Sequence, residues 1–252
     1  MDLAQYEQLN PRCEVSWQGR TVVYATPNQL ARARAESLFT KEPVTIEWMS
    51  QLGPDDVLAD VGANVGMYTI WAAGIAGARV YAFEPESQNY ALLNRNIALN
   101  GLGGRVKAFC LALSDRAGYS ELHLSEFVAG GSCHSLGEPV NFKLEPARPA
   151  FSQGCVAARL DDLVTAGALP QPTHLKIDVD GFEHRVVAGA AGTLRDRALR
   201  SMIVEVNPAL EPHRRLLEEL RGMGFRWDAA QVSAAERKEG AFKGVAEYVF
   251  TR

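Results

Sequence analysis

Residues 60–66 read DVGANVG, and a second acidic residue, Glu84, follows 18 residues after the last glycine of that stretch. An acidic residue, a glycine turn and a further carboxylate in this order are typical of a nucleotide site built on two successive strands. A dinucleotide site would require G-x-G-x-x-G, because its pyrophosphate must approach the backbone at the start of a helix. The spacing here is G-x-x-x-G, so the sequence disfavours a pyrophosphate ligand.

A nucleoside without phosphates fits these residues better. Gly62 permits a close approach of the ligand to the backbone, and the two oxygens of the Glu84 carboxylate can accept from both ribose hydroxyls. Asp60, one strand away, is placed to meet a cation such as the ammonium group of an amino acid. Ribose, ammonium and no phosphate together predict S-adenosylmethionine as the ligand.

The elements that must position these residues alternate between strand and helix from residue 56 onwards. This alternation predicts an α/β fold with a doubly wound, mostly parallel sheet and right-handed crossovers. In such a sheet, ligands bind at the carboxyl ends of the strands. The predicted strands cover residues 57–62, 79–83, 106–113, 174–179 and 201–206, and the predicted helices about 65–76, 86–100, 181–195 and 208–223. Residues 225–230 and 247–252 are predicted to close the sheet as an antiparallel hairpin.

The chain is predicted to form one main domain, residues 53–252, preceded by an extension over residues 1–52. The extension should contain a hairpin over residues 14–24 and a helix that starts near Glu42, with Pro43 in its first turn. Residues 114–162 interrupt the strand and helix rhythm around a glycine-rich loop. A long interruption over a parallel sheet predicts an inserted cover above the active site.

Composition restricts the class of protein and the partners. The 252 residues are 47% hydrophobic and 22% charged, and the formal net charge is -4. These values are those of a globular protein, and they argue against nucleic acid or an anionic membrane as a partner. The longest near-apolar stretch has about 12 residues, shorter than a membrane span, and the N-terminal residues do not resemble a signal peptide. The four cysteines form no metal-binding or disulfide pattern, so we expect a cytoplasmic protein.

Four phrases of the sequence resemble successive signatures of the FkbM family of S-adenosylmethionine-dependent methyltransferases. They are VLADVGANVGMYTIWAAGIAG, VYAFEPESQNYALLNRNIALNG, LKIDVDGFEHRVVAGA and IVEVNP. The resemblance covers roughly residues 40–225. It implies a class I, Rossmann-like methyltransferase fold of seven strands and methyl transfer, usually to a hydroxyl oxygen of a sugar or polyketide-like natural product.

The same resemblance implies which residues hold the cofactor. The third strand's end, residues 111–113, would border the adenine, and DVDG stands where DVEG is more usual, which keeps the charge one carbon shorter. The predicted cofactor-binding set comprises Asp60, Gly62, Ala63, Asn64, Gly66, Tyr68, Glu84, Ala112 and Leu113.

Methyl transfer to an alcohol requires alignment, exclusion of water and a nearby base or metal. Asp178, at the end of the fourth predicted strand, is the first catalytic candidate, and Glu205 at the end of the fifth is the second. Together with Asn207 they form an oxygen-rich trio that could bind Mg²⁺ or, equally, sugar hydroxyls. His134 is the best histidine candidate for a base or a substrate contact, with an exposed loop residue as the alternative.

Three further expectations concern the neighbours of these residues. Lys176 lies inside the fourth strand and should pair with a carboxylate such as Asp178 or Glu205. Asp180 and Glu183 have the spacing of a capping box. Both a structural role as a helix cap and a role in the active site remain open for these two residues. Of the remaining histidines, His174 and His184 are expected on the surface and His123 on an outward-facing position, and His213 shares a predicted helix with two arginines.

Two other functions compete with methyl transfer to a small hydroxylated acceptor. An NAD-dependent oxidoreductase would use Glu84 equally well, but the second glycine and a Tyr-x-x-x-Lys pair are missing from the sequence. A non-catalytic module that only binds S-adenosylmethionine predicts a damaged pocket or a lost carboxylate on the fourth strand, and neither is seen. The sequence does not indicate an oligomeric state.

Overall fold

A computed structural model describes the backbone of residues 1–252 and every side chain except those of residues 6 and 7. The strands are β1 (Arg12–Trp17), β2 (Arg20–Ala25), β3 (Val57–Val61), β4 (Arg79–Phe83), β5 (Val106–Phe109), β6 (Ala112–Leu113), β7 (Gly118–Leu124), β8 (Ser135–Leu136), β9 (Phe151–Ala158), β10 (His174–Ile177), β11 (Ser201–Val206) and β12 (Ala246–Thr251). The helices are α1 (Leu3–Gln8), α2 (Gln29–Glu36), α3 (Pro43–Met49), α4 (Met67–Trp71, continued by a π-helical turn over Ala72–Ala76), α5 (Ser87–Leu99), α6 (Leu160–Thr165), α7 (Glu183–Ala188), α8 (Ala191–Arg195), α9 (Glu211–Gly222) and α10 (Ala229–Ala235).

The central sheet has the strand order β5-β4-β3-β10-β11-β12. All neighbours pair in parallel except β11 and β12, which are antiparallel. Helices follow the parallel strands, so both faces of the sheet are buried, as the near-continuous apolar composition of these strands requires. The doubly wound α/β architecture predicted from the sequence is therefore confirmed.

The sheet has six strands, and the predicted seventh strand is wrong. Of residues 225–230, only Arg226 pairs with the terminal strand, in a single bridge to Thr251. Asp228 then caps α10 by accepting from the N–H of Ala230 at 2.8 Å. Gln231 on α10 binds the backbone of β12 at Glu247. A helix N-cap thus replaces the expected hairpin, because the Asp228 carboxylate satisfies the first free amide of the helix.

The third predicted strand, residues 106–113, changes sheet along its length. Its first part, β5, pairs with β4, whereas β6 pairs with β9 in a second sheet of order β6-β9-β7-β8. Three of its strands, β7, β8 and β9, come from the segment that interrupts the alternation of strands and helices. The carboxyl end of β5 therefore leads directly from the central sheet to the second sheet.

The predicted helix over 181–195 is two helices, α7 and α8, that are separated at Gly189. A Cβ built on Gly189 would stand 2.0 Å from the carbonyl oxygen of Ser114. The close approach of these two backbone segments explains both the glycine and the break.

The hairpin of β1 and β2 packs against α5 through asparagine side chains. Asn96 Oδ1 accepts from the N–H of Ala25 at 2.8 Å, and Asn100 exchanges two hydrogen bonds of 2.7 Å with the backbone of Val23. These amides satisfy backbone groups on the edge of β2 that would otherwise lack partners. Within the described residues, no helix is both long and apolar enough to cross a membrane.

Candidate active site

A cavity of about 270 Å³ opens at the carboxyl ends of the parallel strands. This is the edge of a doubly wound sheet where ligands bind, because the chain leaves each strand there in a loop. Of the predicted site residues, those that line the cavity are Gly62, Asn64, Glu84, Ala112, Leu113, His134, Asp178 and Glu205. Those that lie outside its lining are Asp60, Ala63, Gly66, Tyr68 and Asn207.

The turn after β3 is fixed by Gly62. Its φ of +78° is in the left-handed region, and a Cβ at this position would stand 1.9 Å from the carbonyl oxygen of Asp178. Asn64 also has a positive φ, of 51°, and its side-chain amide donates to the carbonyl oxygen of Gly131 at 2.7 Å. The glycine turn is thus held close to β10 on one side and to the 130–131 backbone on the other.

Glu84 is a buried carboxylate on the cavity wall. Its two oxygens accept from the backbone N–H groups of Asn64 at 2.8 Å and Glu86 at 2.9 Å. A carboxylate has about four acceptor positions, so each oxygen keeps the capacity to accept from a ligand hydroxyl. Burial raises the pKa of Glu84 to about 7, although the two backbone donors act in the opposite direction.

Asp60 lies beneath the cavity and does not reach it. Its carboxylate is completely buried, accepts from the Thr69 hydroxyl at 2.5 Å, and lies 3.8 Å from the Lys176 ammonium nitrogen. The predicted contact between Asp60 and a ligand ammonium is therefore not found, because the side chain points into the layer between β3 and α4. Tyr68 is similarly buried and donates to the Glu42 carboxylate at 2.7 Å.

Lys176 pairs with Asp178, as its position inside β10 predicted. The ammonium nitrogen is 3.2 Å from the Asp178 carboxylate, whose side chain is 24% exposed at the cavity. Burial opposes ionisation of Asp178, but the charges of Lys176 and Lys41 outweigh it and lower its pKa to about 2. Asp178 is therefore a permanent carboxylate on the cavity floor.

The capping box predicted for Asp180 and Glu183 is not formed. The helix begins at Glu183 itself, and Asp180, with a φ of +55°, accepts from the N–H of Cys133 at 2.7 Å. Glu183 turns back to accept from the N–H groups of Val179 and Gly181 at 2.8 and 3.1 Å. Burial, and then the charge of Asp178, raise the pKa of Asp180 to about 6.

The predicted metal-binding trio of Asp178, Glu205 and Asn207 is not assembled. The side-chain oxygen of Asn207 accepts from the N–H of Ala209, so it is directed away from the other two. Oxygens of Asp178 and Glu205 lie within 4.8 Å of Glu183 instead, but cations already compensate both groups. Lys176 pairs with Asp178, and Arg237 lies 2.6 Å from Glu205. These residues do not fit a site prepared for Mg²⁺.

Arg237 is at the centre of a buried acidic cluster, Glu42, Glu205 and Glu247. Its guanidinium lies 2.6 Å from Glu205, 2.7 Å from Glu247 and 3.3 Å from Glu42. All three carboxylates are at most 8% exposed. Burial of such groups without a cation would be strongly unfavourable, so Arg237 is required to hold this side of the cavity together.

His134 lines the cavity as a hydrogen-bond donor. Its Nδ1 accepts from the N–H of Ser125 at 3.3 Å, which places the ring proton on Nε2. Burial lowers its pKa to about 4, so the ring is neutral near pH 7. Within the described part of the chain, the buried Nε2 has no partner. This arrangement favours His134 as a hydrogen-bond donor to a ligand rather than as a base.

Three of the other histidines, His123, His174 and His213, are buried, so the outward positions expected for His123 and His174 are wrong. His123 bonds to Ser152 and His174 to Ser201, each at 2.8 Å. His213 bridges the Asn207 N–H, the Gly181 carbonyl oxygen and the Glu183 carboxylate. The fourth, His184, is half-buried.

Several cavity residues were not indicated by the sequence. They are Arg34, Lys41, Asn89, Gly131, Arg237 and Phe242. Among them, only Gly131 carried a local signal, because it belongs to a glycine pair in the loop. Asn89 holds that loop by accepting from the Gly130 N–H at 2.7 Å and donating to the Gly131 carbonyl at 3.1 Å.

A doubly wound sheet that carries a glycine turn and a ribose-binding type of carboxylate at one cavity defines the class I methyltransferase architecture. The chain belongs to the FkbM methyltransferase family, since the Methyltransferase FkbM domain matches residues 60–227. It is therefore an S-adenosylmethionine-dependent methyltransferase, as the four sequence phrases implied.

Named relatives support this assignment. The chain is 29% identical to the 31-O-demethyl-FK506 methyltransferase FkbM of Streptomyces tacrolimicus, over 72% of this chain and 76% of the relative. It is 27% identical to the hexuronic acid methyltransferase AglP of Haloferax volcanii, over 71% and 67% of the two chains. A structure described as a putative rRNA-methylase from Clostridium thermocellum aligns with a TM-score of 0.50 at 8% identity, over 83% and 93% of the chains, which supports the fold alone.

Proposed function

We propose that this protein transfers a methyl group from S-adenosylmethionine to a hydroxyl oxygen of a small carbohydrate or secondary metabolite. The main observation in support is that Glu84 and Asp178 line the same cavity. Glu84 has unused acceptor positions, and Asp178 is an ionised carboxylate. The names of two relatives support the acceptor class, since one refers to a hexuronic acid and the other to an O-demethylated FK506.

The residues on one side of the cavity suit the nucleoside. Glu84 would accept from the ribose hydroxyls, and the turn at Gly62 would let the cofactor lie against the backbone. Apolar side chains for the adenine come from the lining residues Phe83, Leu111, Ala112 and Leu113. When bound, S-adenosylmethionine supplies a methyl group that is bonded to a sulfonium sulfur. This sulfur is a good leaving group, because it departs as a neutral thioether.

The carboxylates on the other side suit an alcohol. Asp178 would accept the hydrogen bond of the acceptor hydroxyl and so direct an oxygen lone pair. As the methyl group moves to the oxygen, the single hydroxyl proton would pass along this hydrogen bond to Asp178, and Asp180, whose pKa of about 6 is nearer the working pH, would take it over from there. Glu205 with Arg237 would contact other polar groups of the acceptor. No step requires Mg²⁺.

Three segments of the chain would have different roles. Residues 53–252 would form the cofactor-binding domain, residues 1–52 a cap, and residues 114–162 a cover that excludes water from the transfer. Lining residues from the last segment support the cover: Leu122, Gly131, Ser132, His134 and Leu136. We also propose a cytoplasmic location and a small-molecule acceptor, without nucleic acid or a membrane as partner.

Two measurements test this function. Calorimetric titration with S-adenosylhomocysteine should show micromolar binding that Glu84→Ala weakens by ~2 kcal/mol, whereas NAD should not bind. A panel of uronic acids, neutral sugars and hydroxylated macrolactones should then be screened with a labelled methyl donor. Asp178→Asn should keep the binding and lose transfer by about 10²-fold or more. Binding of NAD instead, or of neither ligand, would contradict the proposal.

A further inference from the structure

Arg34 is an uncompensated cation on the cavity wall. It belongs to the last turn of α2, and its Nε donates to the carbonyl oxygen of Gly130 at 2.6 Å. In the described part of the chain, Arg34 forms no ion pair, and its two terminal nitrogens have no hydrogen-bond partner. A guanidinium that retains its terminal donors at a cavity is prepared for an external anion.

The other cations of the cavity wall differ from Arg34 because each already has a carboxylate. Lys41 pairs with Glu42. Arg185 lies 2.8 Å from Glu138, and Arg237 lies 2.6 Å from Glu205. A negative group of a ligand would have to compete with these internal carboxylates, whereas at Arg34 it would not.

The contacts around the glycine turn place Arg34 opposite Glu84. The Asn64 N–H donates to Glu84, and the Asn64 side chain donates to the Gly131 carbonyl. The neighbouring carbonyl, that of Gly130, accepts from Arg34. Glu84 and Arg34 thus flank the turn from two sides, which suits a ligand with hydroxyls at one end and an anion at the other.

His134 faces the same space as Arg34. Besides burial, the positive charge of Arg34 contributes to the low pKa of His134, so the two groups are near each other. The Nε2–H of His134 has no partner within the described residues. Two residues of the cavity lining, Arg34 and His134, therefore retain donors without a partner in the described part of the chain.

We infer that Arg34, assisted by the Nε2–H of His134, binds the α-carboxylate of the methionine portion of the cofactor. This inference rests on the proposed function and assigns a residue to the end of the cofactor away from the ribose. The planar guanidinium can bind a carboxylate through two parallel hydrogen bonds. A side chain from the segment before the main domain would then complete the cofactor site.

The test compares two ligands that differ by one carboxylate. S-adenosylhomocysteine and its decarboxylated analogue, S-adenosyl-3-thiopropylamine, are titrated calorimetrically into the wild type, Arg34→Met and Arg32→Met. Arg32 is the matched control, because it lies on the same helix, is 61% exposed on its side chain and pairs with Glu36. Arg34→Lys is a second variant that keeps the charge, and thermal unfolding monitors the fold of each protein.

The wild type and Arg32→Met should bind S-adenosylhomocysteine at least tenfold more tightly than the decarboxylated analogue. In Arg34→Met the two ligands should bind equally, and Arg34→Lys should be intermediate. An equal weakening of both ligands in Arg34→Met would overturn the inference, since it would reflect displacement of the Gly130 loop. An unchanged preference would also overturn it. If the wild type binds neither ligand, the proposed function itself fails, and this inference with it.

Discussion

Gly62 faces the backbone carbonyl of Asp178 so closely that a methyl group at position 62 would stand 1.9 Å from that oxygen. The turn proposed to admit the cofactor and the strand end that carries the candidate catalytic carboxylate are therefore in direct contact. Any change in the spacing of β3 and β10 at this point would displace both groups together.

Replacement of Gly62 by alanine should destabilise the protein by more than about 3 kcal/mol and abolish binding of S-adenosylhomocysteine. The left-handed conformation alone costs roughly 1–2 kcal/mol for a residue with a Cβ, and the clash with the backbone adds to it. Chemical denaturation and calorimetry measure the two effects. Gly101→Ala is the control, because Gly101 has a φ of +65° and open space around it. A Gly62→Ala protein as stable as Gly101→Ala would contradict this reading.

Cofactor binding should depend on pH through Glu84. Burial raises its pKa to about 7, and only the ionised form can accept from both ribose hydroxyls. Affinity for S-adenosylhomocysteine should therefore be constant well above pH 7 and fall by up to about tenfold per pH unit below it. Titrations from pH 5.5 to 8.5 measure the profile. Glu84→Gln should flatten it, and a flat profile in the wild type would argue against a ribose contact.

Removal of Lys176, the buried cation beside Asp178, should destabilise the protein. Lys176→Met leaves the buried Asp60 without its compensating charge and removes the nearest cation from Asp178, and we expect a loss of about 3–5 kcal/mol in the free energy of unfolding at pH 8. The loss should be smaller at pH 5. In the folded variant the two carboxylates take up protons more readily at that pH, and a protonated carboxyl group needs no compensating cation. Urea denaturation at both pH values tests this. Lys107→Met, at an exposed position on β5, should change stability by less than about 0.5 kcal/mol at either pH.

The loop around Gly130 and Gly131 should loosen when Asn89 is replaced. Asn89→Ala removes two buried hydrogen bonds to that loop, at an expected cost of about 2 kcal/mol. Hydrogen exchange should accelerate at the Gly130 amide more than in the central sheet. Asn94→Ala, on the exposed side of the same helix, should leave the loop unchanged. Equal exchange rates in both variants would show that Asn89 does not hold the loop.

The sequence predicted the positions of site residues best where these residues stand at the ends of strands. Gly62, Glu84 and Asp178 each stand at the end of a strand, and strand ends of a parallel sheet converge on one edge. Asp60 has the same kind of sequence position, yet its side chain lies under the floor with Thr69 and Lys176. Periodicity indicates that a strand is buried, but it does not indicate whether a polar side chain reaches the cavity.

Long-range contacts account for the residues that the sequence did not indicate. Arg34 is held at the cavity by the carbonyl of Gly130, and Arg237 by Glu42 and Glu205, which all lie far away in the sequence, and no local pattern marks either arginine. The helix break at Gly189 likewise depends on the backbone of Ser114, so the deciding partner is set by the folded structure. The missing seventh strand differs, because it depends on a local cap in which Asp228 accepts from the N–H of Ala230.

The cluster of Glu42, Glu205 and Glu247 around Arg237 also has a consequence for biosynthesis. The ribosome makes Glu42 early, Glu205 much later, and Arg237 and Glu247 near the end of the described chain. Until Arg237 has left the exit tunnel, the two earlier carboxylates have no guanidinium between them and favour solvent or a bound proton. This wall of the cavity thus cannot close during synthesis until Arg237 has emerged, and a ligand that depends on this wall would be captured only after that point.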